Sequence, residues 1–398
     1  METTLKNLSS LSSSIILNSL TLSNFELTTN ASVNISEKPN IIKEFLLIFF
    51  MINSKLNFKI LLTSVTLIYL LTPNISFSED IFLNKVNYAN ILMYHRFGEN
   101  KYPTTNTTIK QFISHTNELV KDKYEVIRLD KVIKGLQGKI NLKDRSVSIT
   151  IDDAYLSVYT KAWPILKKLN LPFTLFISTD VIDNNFSNYM NWDQIRELVD
   201  NGVLVGSQTK SHPHLHRLSS KRILNEIDYS NKRFIKELGF KPKLFAYPYG
   251  EYDKKTIEIV QGSGFEAAFG QHSGVAHISS GIFELPRFAM NERYGDLKRL
   301  NLAINALPLI IKDINPEDNF LKKNPPNFGF TLSSKIKPMN AIRCFAGNGI
   351  DTNTSRIGKY RIEVRLEKKF PDARGRINCT MAAKNNRWRW FGKQFLTK

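Results

Sequence analysis

Residues 146–179 read SVSITIDDAYLSVYTKAWPILKKLNLPFTLFIST, and this stretch decides the fold. The segments 147–151 and 173–177 are short, apolar and rich in β-branched residues, which is typical of buried parallel strands. Between them, apolar residues recur at roughly helical spacing, at Leu156, Val158, Tyr159, Trp163, Ile165, Leu166 and Leu169. The stretch therefore predicts a strand, a helix and a second strand parallel to the first.

A pair of carboxylates, Asp152 and Asp153, follows the first of these strands. In parallel α/β folds the carboxyl end of a strand faces the ligand crevice. Adjacent carboxylates repel each other unless a cation or a shared proton relieves the repulsion. The pair therefore predicts a metal ligand beside a general base, although an Asp at this position also commonly caps the following helix.

A second motif favours the metal and base interpretation: residues 206–219 read GSQTKSHPHLHRLS, with three histidines within five residues. The chain here resembles the polysaccharide deacetylases of the NodB type, whose motifs read TFDDG and H(S/T)xxHP. The corresponding segments of this sequence are TIDDA and SQTKSHP. The resemblance implies that Asp152 is the catalytic base, and that Asp153 and His212 bind a divalent metal, zinc.

Two positions depart from the family motifs. Gln208 stands where the family has its first ligand histidine, and Ala154 stands where the first motif ends in Gly. An amide oxygen can bind a hard cation but is a poorer zinc ligand than imidazole, so Gln208 is a candidate third ligand of lower affinity. His214 and His216 follow His212 closely, and either could supply the missing nitrogen if the loop bends suitably.

The third family motif, RxPY, falls on LFAYPYGEYD at residues 244–253. Its Pro, Tyr and Gly match at 248–250, whereas the Arg is replaced by Ala246. The resemblance implies that the backbone N–H of Tyr249 helps to hold the oxyanion, a role that needs only the turn geometry. The lost Arg leaves open what orients Asp152.

The family's late Leu-x-His motif, which supplies a catalytic acid, has no clear counterpart in this sequence. His272 and His277 are candidates by their place in the sequence alone, and loop histidines without a role are the simpler interpretation. Tyr94 and His95 end a further predicted strand, and His95 is equally well interpreted as a hydrogen-bonded residue at the rim.

The remaining sequence predicts an irregular (β/α) barrel of the polysaccharide deacetylase type with a small C-terminal all-β appendage. Strands and helices alternate as far as the last predicted strand, FELPRFAMNE, and the resemblance covers roughly residues 90–291. The expected segments are an extension, disordered or preceding the true start (1–50), a signal peptide (51–78), the barrel (79–307), a linker (308–324) and a basic all-β domain (325–398).

The signal peptide prediction rests on the segment that follows Met51. A stretch with two lysines precedes an uncharged apolar run at 60–71, and a small-x-small site ends at Ser78. The run is shorter than the roughly 20 residues that span a bilayer, although an uncleaved N-terminal anchor is the alternative. The mature chain would then begin near Glu79.

The last segment, residues 325–398, carries 16 Lys and Arg against four Asp and Glu. It also contains the only two cysteines, Cys344 and Cys379, which predict a disulfide in an exported chain. Near its end, NNRWRWFGKQF interleaves arginines with Trp388 and Trp390; this pattern fits either a glycan-binding surface or a core strand with alternating faces.

The sequence thus predicts an exported enzyme, periplasmic or in the cell envelope, that removes N-acetyl or O-acetyl groups from a glycan polymer such as chitooligosaccharide or peptidoglycan. The expected partner is the acetylated glycan, and no nucleic acid is expected despite the net charge of +19, because no nucleic-acid-binding motif is present. The alternative is a degenerate barrel in the cell envelope that binds glycan without hydrolysing it, since Gln208 and Ala246 depart from the family.

Overall fold

The computed structural model describes residues 87–333, 342–371 and 373–397, all within one compact unit, Glu79–Lys398. The predicted extension and signal peptide lie outside the described residues. Over the described ranges, no helix is both long enough and apolar enough to cross a membrane.

The first part of the described chain alternates strands and helices, as the sequence predicts. Its strands are β1 (Tyr88–Tyr94), β2 (Arg96–Phe97), β3 (Asn106–Thr107), β4 (Glu125–Val126), β5 (Ser146–Asp152), β6 (Phe173–Ile177), β7 (Leu204–Ser207), β8 (Leu244–Ala246), β9 (Ala267–Phe269), β10 (Ala276–His277) and β11 (Phe288–Ala289). Its helices are α1 (Ile109–Leu119), α2 (Leu129–Leu136), α3 (Trp163–Lys168), α4 (Thr179–Asp183), α5 (Trp192–Asp200), α6 (Ser220–Leu238), α7 (Lys254–Gly262) and α8 (Leu297–Ile304).

The main sheet has the order β10-β1-β5-β6-β7-β8-β9, with β11 also paired to β1 and β4 to β5. Every pairing is parallel except that of β10 with β1. A single parallel bridge, Phe269 to Leu285, links β9 to the segment that leads into β11. The sheet is therefore a curled, incompletely closed barrel, which confirms the predicted fold class.

The crossover from β5 to β6 follows the predicted order but not a regular helix. A π-helix, Val158–Ala162, precedes α3, and Pro164 lies in the first turn of α3. Proline has no N–H to donate to the preceding turn, so a regular helix cannot run through this position without losing a hydrogen bond. Apolar spacing alone did not reveal this break.

The C-terminal part forms two further four-stranded sheets. Its strands are β12 (Leu307–Pro308), β13 (Ile311–Asn315), β14 (Phe328–Leu332), β15 (Arg343–Ala346), β16 (Thr352–Ile357), β17 (Arg361–Leu366), β18 (Arg374–Ala382) and β19 (Trp388–Leu396). The sheets have the orders β12-β19-β18-β15 and β13-β14-β17-β16 and share one apolar core. The predicted all-β appendage is thus a small β-sandwich.

The segment expected to be a linker, residues 308–324, is partly strand. It contains β13, an edge strand that pairs only with β14 in its sheet and has mostly polar, exposed residues. An edge strand buries little of its surface, so its composition resembles that of a loop. The exact boundary between barrel and sandwich stays a prediction, but the linker interpretation missed this strand.

Cys344 lies directly opposite Cys379 where β15 pairs with β18, and the two form a disulfide. The predicted pairing is therefore confirmed. The bridge closes a loop with a sequence separation of 35 residues. In the loop-entropy model such a closure stabilises the fold by about 3 to 4 kcal/mol.

Candidate active site

Asp152 ends β5 and is fully buried against a guanidinium. Arg287 donates from Nη1 to Oδ1 at 2.6 Å and from Nη2 to Oδ2 at 2.8 Å. The same guanidinium donates from Nε to the Gly270 carbonyl and from Nη1 to Thr150 Oγ1, which fixes its plane. A bidentate pair of this kind sets the orientation of the carboxylate, while each oxygen keeps a further lone pair to accept a proton.

Arg287 therefore orients Asp152, the role left open by the replacement of the motif Arg with Ala246. It comes from the segment before β11, which pairs with β1, and β1 in turn pairs with β5, so Arg287 reaches Asp152 from only two strands away in the sheet. The contact between Arg287 and Asp152 could not be predicted from the sequence, because the two residues are 135 positions apart and no local spacing joins them. The one available signal was an Arg beside a predicted strand end in FELPRFAMNE.

Asp153 and His212 come together from two different loops. Asp153 Oδ1 lies 3.6 Å from His212 Nε2. Two ligands about 2.1 Å from one cation in tetrahedral geometry are about 3.4 Å apart, so this separation suits shared coordination. Burial lowers the pKa of His212, while Asp153 and Asp152 act in the opposite direction. A neutral imidazole is the form that binds a metal.

Gln208 follows β7 and is completely buried. Within the described part of the chain, neither its Oε1 nor its Nε2 has a hydrogen-bond partner, and His212 Nε2 lacks one as well. Buried polar atoms are rarely left unpaired, and each one that is costs about 1 to 3 kcal/mol. Of these atoms, Gln208 Oε1 and His212 Nε2 are the two that can bind a cation, whereas the amide nitrogen of Gln208 can only donate a hydrogen bond.

Tyr249 lies in a tight turn after β8 that holds its backbone in the left-handed region, at φ 59°. Its carbonyl accepts a hydrogen bond from Arg374 Nη1, and the next carbonyl, of Gly250, accepts one from Gln394 Nε2. Both donors belong to the β-sandwich, on β18 and β19. The sandwich thus supports the turn that presents the Tyr249 amide, although its basic residues are remote in sequence from Asp152.

Left-handed backbone recurs in the loops around this centre. Non-glycine residues with positive φ include Asp153, Ala154, Thr209 and His212. Such conformations cost free energy for residues with a Cβ and tend to cluster at functional sites. The value of 52° at Ala154 explains in physical terms why a glycine suits this position in the family motif.

The other histidines of the second motif point elsewhere. His214 Nδ1 lies 2.6 Å from Glu251 Oε2, and His216 Nδ1 lies 3.4 Å from the same oxygen. The ring of His214 stacks on Tyr249 at 4.2 Å between centroids. The structure therefore places His216 against Glu251 rather than beside Asp153.

The candidates for a catalytic acid are also separated by the fold. His277 pairs with Tyr88 at the start of β1, the edge of the sheet opposite Asp152. His272 is 5% exposed, and its carbonyl accepts a bond from the Arg287 amide. His95 instead lies at the site, with Nε2 at 4.0 Å from Asp152 Oδ2.

A cleft of about 590 Å³ opens over these groups. Its walls include His95, Asp153, His212 and Tyr249, together with the rings of Tyr155, Tyr189 and Tyr294. Flat aromatic surfaces beside a few converging polar groups are typical of small-molecule sites and match the apolar faces of sugar rings. Fold and site together define a (β/α) barrel with a carboxylate and histidine centre.

Comparison with known proteins supports the resemblance. Residues 139–268, about a third of the chain, match the family model described as polysaccharide deacetylase. This α/β part of the chain is similar to proteins of that family, which are hydrolases acting on carbon–nitrogen bonds other than peptide bonds. The resemblance noted from the sequence motifs is thus confirmed.

Individual relatives are distant. YxkH of Bacillus subtilis, which bears a polysaccharide deacetylase name, is 25% identical over 197 residues, covering 50% of this chain and 69% of that protein. The poly-β-1,6-N-acetyl-D-glucosamine N-deacetylase of Staphylococcus aureus is 24% identical over 225 residues, covering 53% of this chain and 76% of that protein. The solved structure of Streptococcus pyogenes deacetylase PplD in complex with acetate has a TM-score of 0.52 at 22% identity. The match covers 56% of this chain and 99% of that chain, and it supports the fold.

Deacetylases of this family are metal-dependent in general, and the donor set of this chain can be tested against that requirement. Among the described residues no group of three or more His, Cys, Asp or Glu is placed to hold a metal ion. Asp153 and His212 supply two donors, and any third protein donor would be of another residue type. The unpaired amide of Gln208 fits that need, with an oxygen that suits a harder cation better than it suits zinc.

Proposed function

We propose that this protein is a metal-dependent deacetylase of a polysaccharide or oligosaccharide, releasing acetate from N-acetylated sugars. The observation that carries the proposal is the buried Asp152–Arg287 pair next to Asp153, which lines an open cleft together with His212. A merely structural ion pair would not need a second carboxylate and an unpaired imidazole facing the same opening.

Asp153, His212 and Gln208 would hold the divalent cation, and zinc is the metal expected from the family resemblance. When bound, the cation supplies Lewis acidity to the acetyl carbonyl and to the attacking water. Asp152, held in place by Arg287, takes the proton from that water as it attacks the carbonyl carbon. The Tyr249 amide donates to the carbonyl oxygen as negative charge develops there.

The departing amine must gain a proton as the carbon–nitrogen bond breaks. His95 lines the cleft and lies 4.0 Å from Asp152, so it is placed to supply this proton. Neither His272 nor His277 is placed in this way. The products are acetate and a free amino sugar.

The test is an acetate-release screen on N-acetylchitooligosaccharides, peptidoglycan and acetylated xylan, in the presence of added divalent metal. We expect release from at least one N-acetylated substrate, and its loss in Asp152→Asn, because an amide cannot act as the base. Asp122→Asn, at an exposed position, is the matched control. Circular dichroism verifies that both variants are folded. Equal activity in Asp152→Asn and wild type would contradict the assignment.

A second candidate is a glycan-binding barrel without hydrolysis, and the specific observation behind it is Gln208 at a ligand position. Binding of N-acetylated oligosaccharide without acetate release, together with negligible metal content, would favour it. The Arg287 contact weakens this alternative, because the orientation of Asp152 is retained despite Ala246.

We also propose that the protein is exported to the periplasm or cell envelope, on the evidence of the signal-like segment 51–78 and the disulfide. The exported protein should begin near Glu79, and Cys344 and Cys379 should resist alkylation until they are reduced. Intact-mass measurement before and after reduction tests both statements. Residues before Met51 in the exported protein, or two alkylatable thiols without reductant, would contradict the respective statement.

A further inference from the structure

A second cleft adjoins the candidate active site. It measures about 740 Å³ and lies between the barrel and the sandwich. The two clefts share wall residues, among them Gln271, Tyr294, Arg374 and Arg376. A glycan whose acetamido group reaches Asp153 and His212 can therefore extend into this second space without leaving the protein surface.

The second cleft is strongly cationic. Five basic side chains line it, at Arg293, Arg299, Arg374, Arg376 and Lys393, and no carboxylate occurs among the described residues of its wall. We call it the basic cleft. A concave surface with one sign of charge and low-dielectric walls raises the local concentration of opposite charge.

Two of these cations have structural partners. Arg374 donates to the Tyr249 carbonyl, and its Nε lies 3.4 Å from Glu251 Oε1. Lys393 donates to the Glu317 carbonyl; burial lowers its pKa, while the nearby carboxylates of Glu284, Asp318 and Glu317 act in the opposite direction. The Arg374 contacts hold the sandwich on the barrel and the Lys393 contact lies within the sandwich, so neither by itself indicates a ligand.

Arg376 and Arg299 form no ion pair over the part of the chain that the structure describes, although the charges of Glu251 and Asp296, respectively, favour their charged forms. Arg376 donates from Nε to the neutral amide oxygen of Gln394, and burial lowers the pKa of its guanidinium. Arg299 lies over the ring of Trp390 at 4.8 Å, and its Nη1 has no hydrogen-bond partner among the described residues. Cations removed from water without a direct ion pair are costly, and an arriving anion would relieve that cost.

His272 also lines the basic cleft. Its side chain is almost fully buried and its Nδ1 has no partner in the described ranges. Burial, followed by the charges of Lys393, Arg376 and Arg287, lowers the pKa of His272 to about 3. The imidazole is neutral, and negative charge entering the cleft would favour its protonation.

We propose that the basic cleft is a subsite for an anionic group, a carboxylate or a phosphate, carried by the sugar next to the one that is deacetylated. The substrate class of this enzyme would then be an acidic N-acetylated glycan rather than a neutral one. This inference rests on the proposed deacetylase function for the position of the neighbouring sugar. Guanidinium groups bind both anions in a bidentate manner, so their shared chemistry is what the structure specifies.

The test measures binding, so that it does not depend on turnover. Protein stripped of divalent cations is titrated calorimetrically at low ionic strength with two matched pairs of ligands. In the carboxylate arm, N-acetylglucosaminyl-N-acetylmuramic acid is compared with its neutral lactyl carboxamide. In the phosphate arm, N,N′-diacetylchitobiose 6-phosphate is compared with N,N′-diacetylchitobiose.

We expect the charged member of at least one pair to bind about ten-fold more tightly, and the arm in which this occurs identifies the anion. Arg376→Gln should remove most of that preference. Arg222→Gln, on the exposed face of α6, should leave it unchanged and controls for loss of one positive charge. In addition, the pKa of His272, followed by NMR, should rise when the preferred ligand saturates the protein.

Equal affinity for both members of both pairs would overturn the proposal, as would a preference that survives Arg376→Gln. Acetate release is assayed separately on the same ligands. A charge preference without acetate release would support the anionic subsite and contradict the deacetylase function. Acetate release without a charge preference would support the deacetylase function and contradict the subsite.

Discussion

Replacing Arg287 by methionine is expected to abolish acetate release and to lower the free energy of unfolding by about 3 to 5 kcal/mol. Both side chains of the Asp152–Arg287 pair are completely buried. Removing the guanidinium leaves a carboxylate without a counter-charge in the barrel, and it also frees that carboxylate from its fixed orientation. Urea unfolding and an acetate assay measure the two effects.

A double variant separates the structural role of this pair from its role in the site. Asp152→Leu combined with Arg287→Met removes both charges, so its loss of stability should be smaller than that of either single variant. Acetate release should stay absent in all three proteins, since each lacks an oriented base. Arg222→Met, at an exposed position, controls for the side-chain change. Additive losses of stability in the double variant would show that the pair is not coupled.

Asp153→Ala and His212→Ala are each expected to weaken binding of a divalent cation by at least about 100-fold. Even residues that only support a ligand typically cost 10- to 100-fold in metal affinity, and these two are proposed as direct ligands. Competition with a chelator, followed by metal analysis, gives the affinity without reference to activity. Unchanged affinity in both variants would remove the basis of the metal-dependent mechanism.

Gln208→His should act in the opposite direction and tighten zinc binding, because imidazole is a better zinc ligand than an amide oxygen. His277→Ala is a suitable control, since this residue lies at the opposite edge of the barrel. His216→Ala should likewise have little effect on metal affinity, because its ring faces Glu251. A large effect of His216→Ala would mean that the loop rearranges around the cation.

The parallel strands could be predicted from the sequence, because strands that are buried on both faces are rich in apolar and β-branched residues. Strands β5 and β6 are buried along their whole length; β6 reads as an uninterrupted apolar or β-branched run, and β5 has β-branched residues at Val147 and from Ile149 to Ile151. The same rule placed Asp152 and Asp153 at the ligand edge. Strand β13 escaped detection because an edge strand with exposed side chains has no such composition.

Contacts between distant segments could not be predicted. Arg287 meets Asp152 through the closure of the barrel, and His95 approaches it from β1, so neither neighbour has a spacing that a motif could reveal. Trp390 illustrates the same limit: it packs edge-on against Phe288 of the barrel at 5.5 Å between ring centroids. Its alternation with Trp388 gave no indication that one ring would lie at an interface between two parts of the chain.

The support that the sandwich gives to the Tyr249 turn has a consequence for the order of folding. The contacts from Arg374 to Tyr249 and from Gln394 to Gly250 join residues 125 and 144 positions apart, whereas neighbouring βα units of the barrel meet over much shorter separations. Contacts that close long loops form late, because the loss of chain entropy precedes any gain from them. The Asp152–Arg287 pair also joins residues far apart, at 135 positions. A newly synthesised chain should therefore pass through an inert state in which βα units have formed but neither this pair nor the Tyr249 turn is complete. Hydrolysis would begin only when the sandwich has docked, which couples enzymatic competence to completion of the whole fold.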